Sequence, residues 1–146
     1  MKLFAYHCIF KYFMNYYLKT VLLIDDNPID NYLNENLIYK NSFAEKVVVS
    51  VSAEEAIIYL KINALVYDRI PDLIFLDIKM PLGDGFEFLE AYRDLSEEII
   101  KKAKIIMLTS SLDKADHTQA IENKFVKYLI KKPLSIEILN DLRLKL

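Results

Sequence analysis

Four short apolar runs, each followed by polar side chains, limit the folds open to this chain. The runs occupy residues 21–24, 73–76, 104–108 and 125–130. They are too short for independent helices and consist mainly of consecutive apolar residues, so they predict strands buried in a parallel sheet. Because ligands bind at the carboxyl ends of such strands, the polar groups that follow are predicted to meet at one edge: Asp25, Asp26, Asp77, Thr109 and Lys132.

Helical patterns alternate with these runs. A β-branched run at residues 45–50 adds a fifth strand. Helices are predicted to begin at or just after Pro28, Ser52, Phe86, Asp113 and Ser135. The third of them is extended or broken near Ser96. Five strands alternating with five helices predict a doubly wound α/β fold with right-handed crossovers. The flavodoxin-like strand order 2-1-3-4-5 is a common one for this fold, and it is the order expected here.

The composition indicates one globular domain. The 146 residues are 53% hydrophobic and 27% charged, which suits a single domain with a sizeable core. A formal net charge of -2 and the lack of a dense basic run argue against direct binding to nucleic acid. The single Cys8 cannot form an internal disulfide, and neither histidine belongs to a zinc-spaced cluster, so the predicted compartment is a reducing cytoplasm.

An amphipathic pattern precedes the first strand, in residues 1–18. Apolar residues predominate there, and a thin polar stripe recurs every four residues, which is typical of an amphipathic helix. The charges interrupt it too often for a membrane span, and no signal-peptide cleavage site follows. One interpretation is a helix that binds a partner or a membrane surface. The favoured one is an extension upstream of a native start at Met14, with the domain itself at residues 19–146.

The polar strand ends and the residues beside them resemble a known signature. They are Asp25-Asp26, Asp77 with Lys79-Met80-Pro81, Asp84-Gly85, Thr109 and Lys132-Pro133. In this order they resemble the response-regulator receiver domain of two-component signalling. The resemblance implies that Asp77 accepts a phosphoryl group from a phosphohistidine of a sensor histidine kinase or a histidine phosphotransfer protein. The resemblance also implies that the domain is not an enzyme, although it would catalyse its own phosphotransfer and self-dephosphorylation.

The position of the last motif predicts a stand-alone receiver, since the sequence stops shortly after Pro133. Such a receiver signals by binding a downstream protein or by passing the phosphoryl group along a phosphorelay. The resemblance implies that the surface that phosphorylation reshapes is formed by the fourth helix, the fifth strand and the fifth helix of the predicted fold.

The acidic residues at the strand ends predict a metal site. Three neighbouring carboxylates repel one another, and a hard divalent cation relieves that repulsion. Asp25, Asp26 and Asp77 are therefore predicted to bind Mg²⁺. By resemblance, the backbone carbonyl of Lys79 is a further ligand.

The other two strand-end side chains suit the phosphoryl group itself. Lys132 would stabilise the negative charge that spreads over the oxygens during transfer, and Thr109 would bind a phosphoryl oxygen afterwards. Receivers commonly carry an aromatic residue four positions before the strand-end proline, and here that position is Leu129. Its neighbour Tyr128 points to the opposite face of the strand. The predicted switch residues are therefore Thr109 and Leu129.

Three other functions are compatible with parts of this pattern. A phosphatase of the haloacid-dehalogenase type needs a second Asp two residues after its nucleophile, where this chain has Lys79. A flavin module needs a phosphate-cradling loop after the first strand, and Asp25 and Asp26 would repel that phosphate. The remaining alternative is a phosphorylation-independent pseudo-receiver that acts as a protein-interaction module. The presence of Asp77, Thr109 and Lys132 argues against it.

Overall fold

The computed structural model describes residues 15–81, 83–110 and 112–146. Most of the segment whose pattern predicts an amphipathic amino-terminal helix lies outside the described residues. Ser111, two residues past Thr109, also lies outside them. Among the described residues, no helix combines the length and the apolar character that a membrane crossing requires.

One parallel sheet of five strands forms the centre of the fold. The strands are β1 (Leu18–Ile24), β2 (Ala44–Ser50), β3 (Leu73–Asp77), β4 (Lys104–Thr109) and β5 (Val126–Lys131). Their order is β2-β1-β3-β4-β5, and every neighbouring pair is parallel. All five residues of β3 are buried, as expected for a central strand with helices on both faces. The predicted fold class and strand order are confirmed.

The described part of the chain has six α-helices, of which five lie between strands and the last follows β5. They are α1 (Pro28–Lys40), α2 (Ala53–Asn63), α3 (Gly85–Tyr92), α4 (Glu97–Lys102), α5 (Lys114–Glu122) and α6 (Ile136–Lys145). Side-chain caps begin five of them: Asn27, Ser52, Asp84, Asp113 and Ser135. The Glu55 carboxylate also accepts a hydrogen bond from the Val51 N–H at 2.7 Å, in a variant of the capping box in which Ser52 and Glu55 begin α2.

The described residues form six helices where the sequence pattern predicts five, because the third is broken near Ser96, which is one of its two predicted forms. α3 ends at Tyr92, and α4 begins after Ser96. The buried Tyr92 hydroxyl lies 3.3 Å from the carbonyl oxygens of both Ile99 and Ala103, to which it can donate. These contacts join the end of α3 to α4 and to the residue that follows α4.

The core has two layers, one on each face of the sheet. Leu22, Leu76 and Met107 belong to the layer under α2 and α3, whereas Phe75 and Leu108 belong to the layer on the opposite face. The side chains of consecutive residues in a strand point alternately into these two layers. The sheet is therefore covered by apolar packing on both faces, and its carboxyl edge is left for polar groups.

The apolar residues in the first half of α1 do not belong to its buried face, whereas Ile38 near its end is fully buried. Ile29 is 67% exposed and Leu33 is 58% exposed, while Asn31 and Asn34 are buried. The Asn31 side-chain amide donates to the carbonyl oxygen of Asp25 at 2.7 Å. This hydrogen bond turns a polar side of the helix toward the sheet and leaves apolar side chains at the surface.

β5 contains one irregularity beside the predicted switch position. Ile105 pairs with Val126, but the next residue of β4, Ile106, pairs with Tyr128, so β5 carries one extra residue at this point. From Tyr128 onward the register is regular, and Leu129 pairs with Met107. Tyr128 and Leu129 pack against different core layers. They therefore lie on opposite faces, as strand alternation predicts.

Candidate functional site

The strand ends meet at the carboxyl edge of the sheet. Asp25 and Asp26 follow β1, and Asp77 ends β3. Carboxylate oxygens of these three residues lie within 4.8 Å of one another. Thr109 ends β4 and is buried. Its carbonyl oxygen accepts a hydrogen bond from the backbone N–H of Lys132 at 2.8 Å. The structure thus brings together all five side chains that the strand pattern singles out.

Lys132 is the cation at the centre of this acidic edge. Its Nζ lies 2.6 Å from Asp25 Oδ2, 3.0 Å from Asp30 Oδ2 and 3.3 Å from Asp77 Oδ1. Burial of the ammonium lowers the pKa of Lys132, but the hydrogen bonds with Asp25 and Asp30 and the nearby charges raise it further than burial lowers it. Lys132 therefore remains charged and neutralises part of the carboxylate cluster.

Asp77 is a buried carboxylate in an unfavourable electrostatic environment. Burial raises the pKa of Asp77 to about 6, and the charge of Asp25 adds to this rise. The charge and hydrogen bond of Lys132 and the backbone N–H of Lys79 lower the pKa only partly. A carboxylate with this surplus of negative charge around it is suited to binding a cation.

Local backbone contacts hold the loops that carry these residues. Asp25 Oδ1 accepts a hydrogen bond from the Asn27 N–H at 2.9 Å. After β3, the Gly85 N–H donates to the carbonyl oxygen of Ile78 at 3.0 Å. A Cβ on Gly85 would lie 2.6 Å from the carbonyl oxygen of Asp77, so the turn after β3 requires glycine here.

Lys79 lies two residues past Asp77, but its side chain is directed to α5. Its Nζ lies 2.8 Å from Asp116 Oδ2. The hydrogen bond with Asp116 raises the pKa of Lys79. The loop after β3 is thereby joined to α5, and the part of Lys79 that borders the carboxylates is its backbone.

Leu129 lies on the same face of the sheet as the residues under α5. It packs against the core layer that contains Met107 and Ala120. A cavity beside it is also lined by Thr109, His117 and Ile121. The two predicted switch residues therefore share one cavity wall.

Three residues of the site were not predicted from the sequence. Asp30 contacts Lys132, Asn31 holds the loop after β1, and Asp116 binds Lys79. Asp30 and Asn31 follow the acidic pair within one turn of α1, and that proximity is a signal that could have drawn attention to them. Asp116 carries no comparable signal, because α5 approaches Lys79 only in the folded chain.

Comparison with known proteins agrees with this geometry. The model of the response regulator receiver domain matches residues 21–143. This chain belongs to the response-regulator receiver family. A two-component response regulator from Cytophaga hutchinsonii has a similar structure, with a TM-score of 0.79 at 33% identity, covering 88% of this chain and 96% of that one. A response regulator receiver protein from Dyadobacter fermentans has a TM-score of 0.75 at 34% identity, covering 85% and 94%.

Longer curated proteins contain a region similar to this receiver. The gliding motility regulatory protein of Myxococcus xanthus is 31% identical over 119 residues, which are 82% of this chain and 14% of that protein. The sensor histidine kinase CheAY of Helicobacter pylori is 38% identical over 72 residues, which are 49% of this chain and 9% of the kinase. The chain thus spans only a small part of these two relatives.

The carboxylate cluster fits the metal chemistry of the family. Receiver domains are generally signalling modules rather than enzymes, and they typically bind Mg²⁺. Hard oxygen ligands are what this ion prefers. Asp25, Asp26 and Asp77 offer three carboxylate oxygens within 4.8 Å, and burial together with the charge of Asp25 raises the pKa of Asp77 even though Lys132 lies nearby. Among the described residues this donor set could hold a divalent cation.

Proposed function

We propose that this receiver accepts a phosphoryl group on Asp77 from a phosphohistidine of a sensor histidine kinase or a histidine phosphotransfer protein. The observation that carries the proposal is the position of Asp77 at the end of the central strand. There it is 6% exposed, has Lys132 Nζ at 3.3 Å and lies beside two further carboxylates. We assign this function to the predicted domain at residues 19–146, to which Leu18 is added because β1 begins there, and treat the preceding residues as an extension.

The metal ligands in this proposal are the carboxylates of Asp25, Asp26 and Asp77 and the backbone carbonyl of Lys79. When bound, Mg²⁺ would supply positive charge that offsets both the carboxylates and the incoming phosphoryl oxygens. Asp25 is held for this role by its hydrogen bond from the Asn27 N–H. The protein's part is to keep these oxygens together at the edge of a rigid sheet.

The transfer step exchanges one bond to phosphorus for another. A carboxylate oxygen of Asp77 attacks phosphorus in line, the P–N bond to the donor histidine breaks, and its electron pair returns to the imidazole. Lys132 stabilises the negative charge on the transferring oxygens, and the Thr109 hydroxyl then donates to one of them. In self-dephosphorylation, water attacks phosphorus, the P–O bond to Asp77 breaks, and inorganic phosphate and a proton are released.

A surface beside the site favours docking of an apolar donor. Ile29, Tyr32 and Leu33 are exposed on α1. Leu33 also lines a groove that reaches the catalytic lysine, and the other lining residues are Asp30, Asn34, Leu37, Ser110, Lys132, Pro133 and Leu134. Exposed apolar side chains next to a reactive group are typical of partner-binding surfaces. We infer that the phosphohistidine donor contacts this side of the receiver.

For the output we propose the surface of α5, β5 and α6, which corresponds to the fourth helix, fifth strand and fifth helix of the predicted fold. If Thr109 turns toward the phosphoryl group, Leu129 can change rotamer and occupy the space that it vacates. Leu129 packs under α5, where Ile121 is exposed. A change there alters the surface offered to a downstream protein or to the next member of a phosphorelay.

Phosphorylation by a small donor tests the proposal. The protein is incubated with acetyl phosphate and Mg²⁺, and intact-mass analysis should show one added phosphoryl group. Asp77→Asn should not be labelled, while Asp141→Asn, which alters an exposed carboxylate of α6, should be labelled as wild type is. Undiminished labelling of Asp77→Asn would exclude Asp77 as the acceptor. No labelling of wild type under any Mg²⁺ concentration would favour the pseudo-receiver instead.

A further inference from the structure

Lys132 has one carboxylate partner outside the carboxylate cluster of Asp25, Asp26 and Asp77. Of its three contacts, Asp25 and Asp77 are in the cluster, and Asp30 is the third, at 3.0 Å. Asp30 lies in the first turn of α1, where its backbone N–H donates to Asn27 Oδ1 at 3.3 Å. Neither the strand pattern nor the metal chemistry accounts for this residue.

The contacts of Lys132 with the cluster are the ones that phosphotransfer disturbs. Asp25 Oδ1 already accepts from the Asn27 N–H, and a cation at the cluster would draw on the oxygens of both Asp25 and Asp77. Asp77 also loses its carboxylate charge when it becomes an acyl phosphate. Of the three contacts of the ammonium, only the one with Asp30 is unaffected by these changes.

The contact with Asp30 is compatible with a productive position of the lysine. Lys132 Nζ lies within 3.3 Å of Asp77 Oδ1 at the same time as it contacts Asp30, so Asp30 does not withdraw it from the acceptor. A lysine side chain has a flexible four-carbon stem, and it loses much conformational entropy when its ammonium is held at one point. A carboxylate fixed on a helix can hold it there before the phosphoryl group arrives.

We propose that Asp30 is a positioning residue for phosphotransfer, which keeps the Lys132 ammonium over Asp77 while Asp25 and Asp77 are engaged by metal and phosphoryl group. The inference rests on the proposed function, since it gives Lys132 its role at the phosphoryl oxygens. Asp30 itself contacts neither phosphorus nor the attacking oxygen. Its side chain is 35% exposed, so the anchor is accessible to solvent and its effect is smaller than that of a fully buried pair.

The rate of phosphorylation is the first measurement. At saturating Mg²⁺, Asp30→Ala should accept phosphoryl groups from acetyl phosphate about tenfold more slowly than wild type, the low end for a hydrogen bond between charged groups. Asp30→Glu, which restores a carboxylate, should recover most of this loss. Glu35→Ala is the matched control, because it removes one carboxylate from the same helix, and its rate should equal that of wild type.

The lysine itself provides a second measurement that does not depend on turnover. In ¹⁵N-labelled protein with Mg²⁺, the ammonium resonance of Lys132 should be observable because its hydrogen bonds slow exchange with water. Asp30→Ala should broaden or remove that resonance, and Glu35→Ala should not. The affinity for Mg²⁺, measured by titration of amide shifts, should change less than about twofold in Asp30→Ala, since Asp30 is outside the cluster.

These outcomes separate this inference from the proposed function. If wild type accepts no phosphoryl group on Asp77, the proposed function fails and this inference fails with it. If wild type is phosphorylated but Asp30→Ala matches its rate and retains the Lys132 resonance, only the role of Asp30 is overturned. Equal slowing of Asp30→Ala and Glu35→Ala would also overturn it, because the effect would then be one of net charge.

Discussion

Neutralising Asp77 should stabilise the metal-free protein, and the gain should grow with pH. Burial raises the pKa of Asp77 from 3.8 to about 6, the charge of Asp25 adds to the rise, and Lys132 opposes it. Each unit of difference between folded and unfolded pKa corresponds to about 1.4 kcal/mol in the free energy of unfolding. The ionised Asp77 carboxylate therefore destabilises the native state by up to about 3 kcal/mol at neutral pH.

The direction of the pH dependence follows from proton binding. The folded protein holds the Asp77 proton more tightly than the unfolded chain, so it binds more protons between about pH 4 and about pH 6. In this window the free energy of unfolding falls as the pH rises. Above about pH 7 both states are ionised and the loss is complete. The Asn side chain of Asp77→Asn does not titrate, so this contribution should disappear in the variant.

Urea denaturation in the presence of EDTA measures the effect. Between about pH 4.5 and about pH 7.5, the stability of Asp77→Asn relative to wild type should increase by about 2 kcal/mol. Asp68→Asn is the control, because it removes an exposed carboxylate just before β3, and its difference from wild type should not grow in this way. A difference between Asp77→Asn and wild type that stays constant across the range would refute the reasoning.

The remaining predictions concern the amino terminus, the phosphoryl lifetime and the switch. A chain that begins at Met14 should keep its thermal midpoint and its phosphorylation, and a large loss of stability would mean that the removed residues pack against the domain. Lys79→Asn should speed loss of the phosphoryl group, followed by intact mass, because an amide can orient the attacking water whereas the Lys79 ammonium is held 2.8 Å from Asp116; an unchanged decay rate would contradict this. Leu129→Ala should weaken the amide-shift response of α5, β5 and α6 to beryllofluoride with Mg²⁺. If Tyr128→Phe abolishes that response and Leu129→Ala does not, the assignment of the switch is wrong.

The fold class follows from local patterns in the sequence. Consecutive apolar residues mark the buried strands, and the capping side chain of Ser52 marks where α2 begins. Such signals act within a few residues, so they can be read without the tertiary structure. The same holds for the strand-end residues, because parallel topology alone brings Asp25, Asp77 and Thr109 to one edge of the sheet.

The orientation of helices depended on contacts that no local pattern contains. The apolar spacing of α1 does not reveal that Ile29 and Leu33 lie at the surface, because the hydrogen bond from Asn31 to the Asp25 carbonyl determines which side faces the sheet. The break between α3 and α4 is likewise held by the Tyr92 hydroxyl. In both cases a buried polar group must find a partner, and that requirement outweighs the apolar spacing.

The sequence by itself determined which residue types reach the acidic edge, and the tertiary structure decided which of them are paired. Asp30 and Lys132 are 102 positions apart, and only the completed sheet brings β5 close enough to α1 for their side chains to meet at 3.0 Å. Asp116 binds Lys79 for the same reason, across the space between α5 and the loop after β3. The physical reason is range: strand and helix signals act between neighbours in sequence, whereas an ion pair depends on distance in the folded chain.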